Sequence, residues 1–365
     1  MNVCLIGDSL TSLVLAKILV AKKIKVFVHY TKKKIIYSKF RTIGISKSNF
    51  EYLNKQVVKL KKDMFWKVNQ IEIYSSKYKE DKILGFKKSK GPLFFMVKNN
   101  DIYKLIGNNL KKNKFFKKIL IKNNLFYRKV LENNKYDLVI NCENNNFISK
   151  KFFYKKIIKD YNSQAYTTII NHQKISNKKA VQIFTEKGPI AFLPISNKKT
   201  SIVFSKINEN YKLSEIELKK FIFKNNKNYK IEKFEKFEKF ELKFSIARNY
   251  YNNNIMEFGD SLHKIHPLAG QGFNMILRDL KILSKIIQNQ INLGLQLDHS
   301  IYAEFQKETK HLNSIFSFGI DFIYEFFKFD SGHKGNYSNT MLKFIGKDKL
   351  FNQLISKYAD QGLLI

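Results

Sequence analysis

The amino-acid sequence predicts an α/β protein in which a domain opening on a βαβ unit carries an inserted antiparallel β-sheet and a helical C-terminal segment. Three observations lead there. The chain opens with an apolar run at residues 3–6, helical apolar spacing over 10–19 and a second apolar run at 24–28, the order of a βαβ unit. Far downstream, residues 255–279 read IMEFGDSLHKIHPLAGQGFNMILRD, an apolar strand ending at Gly259 followed by a glycine-opened turn and a helix. Between these lie four strand-like runs, at 164–170, 180–185, 190–194 and 200–205.

At 365 residues and 44% hydrophobic content, the chain can bury a large core and is long enough for two domains. Its two cysteines, Cys4 and Cys142, sit inside apolar runs and read as buried reduced thiols. The opening MNVCLIGDSL enters a strand directly, so nothing points to secretion. No apolar run approaches the roughly 20 residues of a membrane span. The formal charge of +37 suggests a polyanion partner, but arginine occurs only at Arg41, Arg128, Arg248 and Arg278, while Lys, Asn, Ile and Phe abound, as A/T-rich codon usage produces. Lysine runs at 32–34, 61–62 and 111–112 read as solvated faces. No nucleic-acid partner is expected, although so basic a surface is drawn to anionic lipid headgroups.

The first turn, Gly7-Asp8-Ser9-Leu10-Thr11-Ser12, is G-x-S-x-x-S where a dinucleotide fingerprint has G-x-G-x-x-G. Gly7 serves the tight turn, and Ser9 and Ser12 add bulk. His29 and Tyr30 occupy the strand end where an acidic residue usually holds the ribose. Arg41, opening RTIGIS, suits a planar bidentate phosphate contact. Strands are expected at 66–74 and 82–86, then a helix at 99–110 opening on Asn99 or Asp101, then a buried strand at 136–143 ending on Glu143-Asn144. The tract KFEKFEKFELKF at 233–244 has period three and reads as a helix end running into a strand. Asp260 stands at a strand tip, where open α/β sheets place ligands. Gly270 and Gly272 lack Cβ atoms where a backbone approaches a flat ligand. A helix from Gly272 gathers Phe273, Ile276, Leu277, Leu280, Leu283 and Ile287 on one face, and its free amides favour an anionic group. A last, aromatic-rich helix is expected at 302–329.

Residue by residue, Gly259, Asp260, His266, Pro267, Ala269, Gly270, Gln271, Gly272, Phe273 and Asn274 resemble the second FAD motif of the flavin-dependent aromatic hydroxylases. The nearest resemblance is to the ubiquinone-biosynthesis hydroxylases that oxidise polyprenyl phenols. It implies a Rossmann-like FAD-binding domain of the GR2 type at 1–70, 95–150 and 246–300. A substrate-binding β-sheet domain at 71–94 and 151–245 and a helical segment at 301–365 complete the implied layout. Gly7, Ser9, Ser12 and Arg41 would meet the dinucleotide, Asp260 the ribityl chain, and Gly270, Gly272, Phe273 and Asn274 the isoalloxazine. His266, Pro267, Gly270 and Gln271 would stand at its reactive side, with Phe192 and Pro194 in the substrate pocket. Glu143-Asn144 replaces the family's Asp-Gly.

The implied cycle has NADH or NADPH reduce FAD, oxygen add at flavin C4a, and the hydroperoxide hydroxylate a polyprenylated phenol. A cytoplasmic protein peripheral to the inner membrane, assembled with other ubiquinone-biosynthesis enzymes, is the implied setting. No metal-ligand spacing, nucleophile elbow or Walker loop is visible. Two alternatives stay open: a flavin enzyme acting on a soluble aromatic substrate, and a non-catalytic flavoprotein subunit of a biosynthetic complex.

Overall fold

Hydrophobic patterning sorts the described residues into three sheets. The computed structural model describes residues 1–31, 41–75, 82–87, 91–132, 135–207 and 213–332. In the first sheet, strands Ile255–Glu257, Leu138–Asn141, Asn2–Ile6, Lys25–Tyr30 and Phe116–Leu120 run parallel in that spatial order, and Tyr251–Asn252 adds antiparallel at one edge. Helices cover this sheet, so its central strand is buried on both faces and must be apolar throughout, as Val3-Cys4-Leu5-Ile6 is. Helices Leu10–Ala21, Asn99–Lys111 and Gln271–Asn292 pack into its largest core through Leu15, Ile106 and Leu280, among others.

The second sheet has nine strands. Eight of them form the path His263–Lys264, Glu238–Ala247, Lys156–His172, Lys199–Ile207, Gly188–Ser196, Lys179–Thr185, Gln70–Ser75 and Lys82–Lys87, and Ile231–Phe234 also pairs with Lys156–His172. Helix Glu215–Asn225 covers its outer face, where Leu218 and Ile222 pack on Tyr166, Ile190, Phe192, Ile202 and Phe204. Strand alternation turns the intervening residues, Ala165, Thr167, Ala191, Leu193, Ser201 and Val203, to the inner face.

The run expected as one strand at 66–74 is two. Asn69 donates its backbone N–H to the Lys178 carbonyl (2.9 Å) and breaks the run, so Phe65–Val68 and Gln70–Ser75 join different sheets. Phe65–Val68 joins Phe94–Lys98 and Thr42–Ser46 in a small third sheet. The period-three tract also departs from expectation. It forms strands Ile231–Phe234 and Glu238–Ala247 because both pair with the 17-residue strand Lys156–His172; the helix lies earlier, at Glu215–Asn225. The last helix, Ser300–Gly332, spans both bodies: Ile301, Tyr302 and Phe305 enter the first core, and Phe316, Ile320, Tyr324 and Phe327 pack against the second sheet. Of the expected C-terminal segment, 333–365 lies outside the described residues, as does the lysine run at 32–34.

Candidate cofactor and substrate site

The C-terminal ends of the parallel strands bring together three loops far apart in sequence. At the first, Gly7 has φ +105°, and a Cβ there would lie 2.9 Å from the Glu143 Cβ, so the turn and the second loop touch. Ser9 is the N-cap of helix Leu10–Ala21; its Oγ accepts the Ser12 N–H (3.1 Å) and lies 3.0 Å from the Ser12 Oγ. The two serines that replace glycines thus hold each other and the helix end.

His29 is buried, 3.1 Å from the Tyr136 hydroxyl and 4.4 Å from the Phe126 ring. Burial, with Lys135 adding to it, pushes its pKa down to about 4. Next to it the Lys118 ammonium lies 4.5 Å over the Tyr30 ring and pairs with Asp8. A carboxylate therefore stands near this strand end after all, supplied from the turn by Asp8. Sequence reasoning passed over it, because an aspartate in a Gly-x-Ser turn has no distinguishing spacing.

At the third loop, strand Ile255–Glu257 runs into the tight turn Gly259–Ser261. Asp260 is exposed, and its carbonyl accepts the Asn144 side chain (3.2 Å). Below it, Glu257 is 0% exposed and accepts from Lys156 (2.8 Å) and Ser149; Lys156 also donates to the Ser261 carbonyl (2.8 Å). Burial raises the Glu257 pKa, and Lys156 and Ser149 oppose the rise. This support of the Asp260 turn joins residues 101 apart, with no motif to announce it.

Gly270, left-handed at φ 65°, ψ 27°, is the N-cap of helix Gln271–Asn292, which starts one residue before the expected Gly272 and has no side-chain cap. Asn274 ties this helix to strand Thr42–Ser46. Its Oδ1 accepts from the Ser46 N–H (2.9 Å) and Asn49 Nδ2 (3.1 Å), and its Nδ2 donates to the carbonyls of Gly44 (2.9 Å) and Gly270 (3.3 Å). Both polar atoms of that side chain are engaged inside the protein. Phe273 is half-buried against the first core. Arg41 is exposed, and its carbonyl accepts the Asn99 N–H (3.0 Å) at the opening of the neighbouring helix.

Two pairs of rings and charges fix the loop before Gly270. His263 Nε2 lies 2.6 Å from Asp279 Oδ2, both buried, and Asn313 donates to Asp279 Oδ1 (2.9 Å), so loop and both long helices meet there. His266 stacks on Tyr324 with centroids 4.1 Å apart and meets Tyr161 edge-on at 5.4 Å. Burial pushes its pKa down to about 3.

Phe192 requires a correction. It was expected in the substrate pocket, but it packs with Phe204 and Tyr229 under the outer helix, because residues of its parity face away from the loops. Pro194 shares that parity. Leu193 lies on the opposite side with Trp66, Phe94 and Met96, and Ser201 on that side accepts from Thr42 Oγ1 (2.9 Å), which joins the inner face to the Thr42–Ser46 strand.

An FAD molecule fits these residues. A Cβ at Gly272 would meet no protein atom within 4 Å, so a flat ring has room over the helix start. The first-turn amides have no intrahelical acceptor. Asn99 Oδ1, Ser261 Oγ and Gln271 Oε1 are buried without a protein partner, polar atoms of the kind that a ligand with N–H, hydroxyl and carbonyl edges satisfies.

The comparisons with known proteins agree. The family model described as squalene epoxidase matches residues 148–347, more than half of the chain. Ubiquinone hydroxylase UbiL of Rhodospirillum rubrum is 26% identical over 141 residues, covering 37% of this chain and 33% of the relative. The mitochondrial ubiquinone biosynthesis monooxygenase COQ6 of Caenorhabditis elegans is 23% identical over 216 residues, 47% of this chain and 48% of the relative. The chain thus spans from a third to about half the length of these curated relatives. Klebsiella pneumoniae HpxO, solved with FAD and uric acid, superposes with a TM-score of 0.71 at 10% identity over 100% of this chain and 97% of its own, a likeness of fold. The family match over residues 148–347, more than half of the chain, means that the chain belongs to the squalene epoxidase family of FAD-dependent monooxygenases.

Proposed function

We propose that the chain hydroxylates a polyprenylated phenol in ubiquinone biosynthesis, using FAD, NADH or NADPH, and oxygen. The observation that carries this reading is the meeting of the 259–274 unit with the inner face of the second sheet, where Leu268 and Met275 share an apolar cluster with Ala165, Phe184 and Phe244. Such a face suits a neutral, hydrophobic ring. The names of the two ubiquinone-related relatives favour this substrate class over other phenols.

FAD supplies the redox chemistry with oxygen that no side chain provides. In this reading the backbone of the Gly7-Asp8-Ser9 turn and the Arg41 side chain hold its diphosphate, and Asp260 accepts hydrogen bonds from the ribityl hydroxyls. The amides of Gly272 and Phe273, at the positive end of helix Gln271–Asn292, donate toward negative charge on the pyrimidine edge. Pro267 and the apolar inner face keep water away. The capped Ser9 turn and the buried His29 leave FAD affinity modest.

The test is anaerobic mixing of FAD-loaded protein with NADH or NADPH and a prenylated phenol, followed by oxygen. Flavin bleaching and then a hydroxylated product are expected. Absence of reduction by either nucleotide overturns the reading in favour of the non-catalytic flavoprotein.

Membrane attachment belongs to the same reading. The last helix exposes Ile315, Phe318, Phe322, Ile323 and Phe329, and the chain carries a formal charge of +37. Among the described residues no helix is long and apolar enough to cross a membrane. Peripheral binding that is stronger on anionic than neutral vesicles and falls with salt is expected in flotation; equal, negligible binding to both at low salt overturns it.

A further inference from the structure

Buried polar atoms without partners gather in one stretch of this chain: Ser261 Oγ, His263 Nδ1, both ring nitrogens of His266 and Gln271 Oε1 fall within eleven residues. His266 stands apart because neither of its polar atoms has a partner and its residue is only 1% exposed. A buried polar group left so costs stability unless something else hydrogen-bonds to it. The ring lies in an apolar box formed where three elements meet. Tyr161 comes from the long strand of the substrate sheet, Tyr324 from the last helix, and Leu268 from the loop that leads to Gly270. Ala165 of the inner sheet face, Met275 and Phe316 belong to the same cluster. The Tyr324 hydroxyl is engaged with Ser163 Oγ (3.0 Å), so it does not satisfy the imidazole.

We propose that His266 anchors the substrate, its imidazole hydrogen-bonding the hydroxyl of a hydrophobic phenol that enters between the inner sheet face and the 266–270 loop. This rests on the phenol hydroxylase reading above and goes beyond it by naming the group that recognises the hydroxyl. A neutral imidazole suits the task, since it carries one donor and one acceptor and pairs with a hydroxyl in either direction. A site built to hydrogen-bond a hydroxyl discriminates against the analogue that lacks the donor, because its own polar atom is then left unpaired.

The test uses FAD-loaded protein titrated with 2-hexylphenol and with its methyl ether, each followed by the perturbation of the bound flavin's visible spectrum. Wild-type protein is expected to bind the phenol about tenfold more tightly than the ether, the ratio that about 1.4 kcal/mol sets. His266→Phe, which fills the aromatic box without polar atoms, is expected to bind both ligands alike, with FAD stoichiometry and melting temperature kept. His266→Gln is expected to restore part of the preference. Equal affinity of the wild type for phenol and ether overturns the proposal with no variant needed, and so does a full phenol preference in His266→Phe. Wild-type protein that binds neither ligand removes the phenol reading itself and this inference with it, whereas failure in the variants alone leaves that reading standing.

Discussion

At Asp260 the proposed function has one carboxylate at a strand tip hold the ribityl chain of FAD. Asp260→Ala should weaken FAD binding by about 1.5–3 kcal/mol, roughly 10- to 150-fold, measured by quenching of flavin fluorescence; unchanged affinity would remove the ribityl contact. The pair beneath it concerns stability. Lys156→Met leaves Glu257 buried without its cation and should cost about 3–5 kcal/mol in urea unfolding, while Lys156→Met with Glu257→Leu should recover most of that loss. Gly270 tests conformation more than space, since a Cβ there would lie 3.5 Å or more from Gly44 atoms, yet φ is +65°. Gly270→Val should therefore abolish hydroxylation, and Gly270→Asn, which tolerates left-handed backbone, should keep a measurable fraction. The strand, turn and helix that carry Asp260 and Gly270 were legible in the sequence because an apolar run ending on a glycine and a second glycine opening an apolar helical face mark such a junction. Lys156 was not, in a chain where lysine is everywhere and its partner is distant.

Elements declare themselves when one period dominates. Helix Gln271–Asn292 did so, burying Ile276, Leu277, Leu280, Leu283 and Ile287 as their spacing requires. The 233–244 tract did not, because its triplets run across the break between two strands: Phe234 and Phe237 both pack on the core under the outer helix, Phe240 is exposed, and the buried alternation begins only with Leu242, Phe244 and Ile246. Pairing partners decided it, and those are not local. Phe192 illustrates a different gap: the strand was legible, but which of its faces met the cofactor domain depends on the whole sheet. The N-terminal helix offers an element-scale test. Ser9→Gly exchanges a side-chain cap for backbone room at the turn, so stability should fall by only a few tenths of a kcal/mol while FAD binds more tightly. Looser FAD binding in a well-folded Ser9→Gly protein would mean that the serine itself touches the cofactor.

The molecule as a whole should lose stability in mild acid. His29 and His266 have folded-state pKa values lowered to about 4 and about 3, against 6.5 in the unfolded chain. Between those limits the unfolded state binds more protons, so stability is full above pH about 6.5 and falls as pH drops toward the folded-state values. The raised carboxyl of Glu257 has the opposite sign, favouring the folded state in acid, and blunts the lower end of that window. From pH 7.5 to 5.5 the urea unfolding free energy should fall by about 1–3 kcal/mol, and His266→Phe should flatten that slope. A profile unchanged by the substitution would mean that the ring is hydrated and titrates freely.

The only tryptophan, Trp66, donates its indole N–H to the Asn177 carbonyl (2.6 Å), and Asn177 is itself bonded to Ser196, Lys199, Thr200 and Tyr229. The two thiols lie elsewhere: Cys4 and Cys142 are buried in and beside the parallel sheet and form no disulfide. One indole thus stands at the seam between the small sheet and the nine-stranded sheet, and both thiols lie in the core of the parallel sheet. Emission from the first and labelling of the second are separate clocks. If their midpoints coincide during denaturation, the two bodies melt as one cooperative unit; if emission changes first, the seam opens while the core holds, and the molecule has a partly open form through which a long apolar substrate can enter.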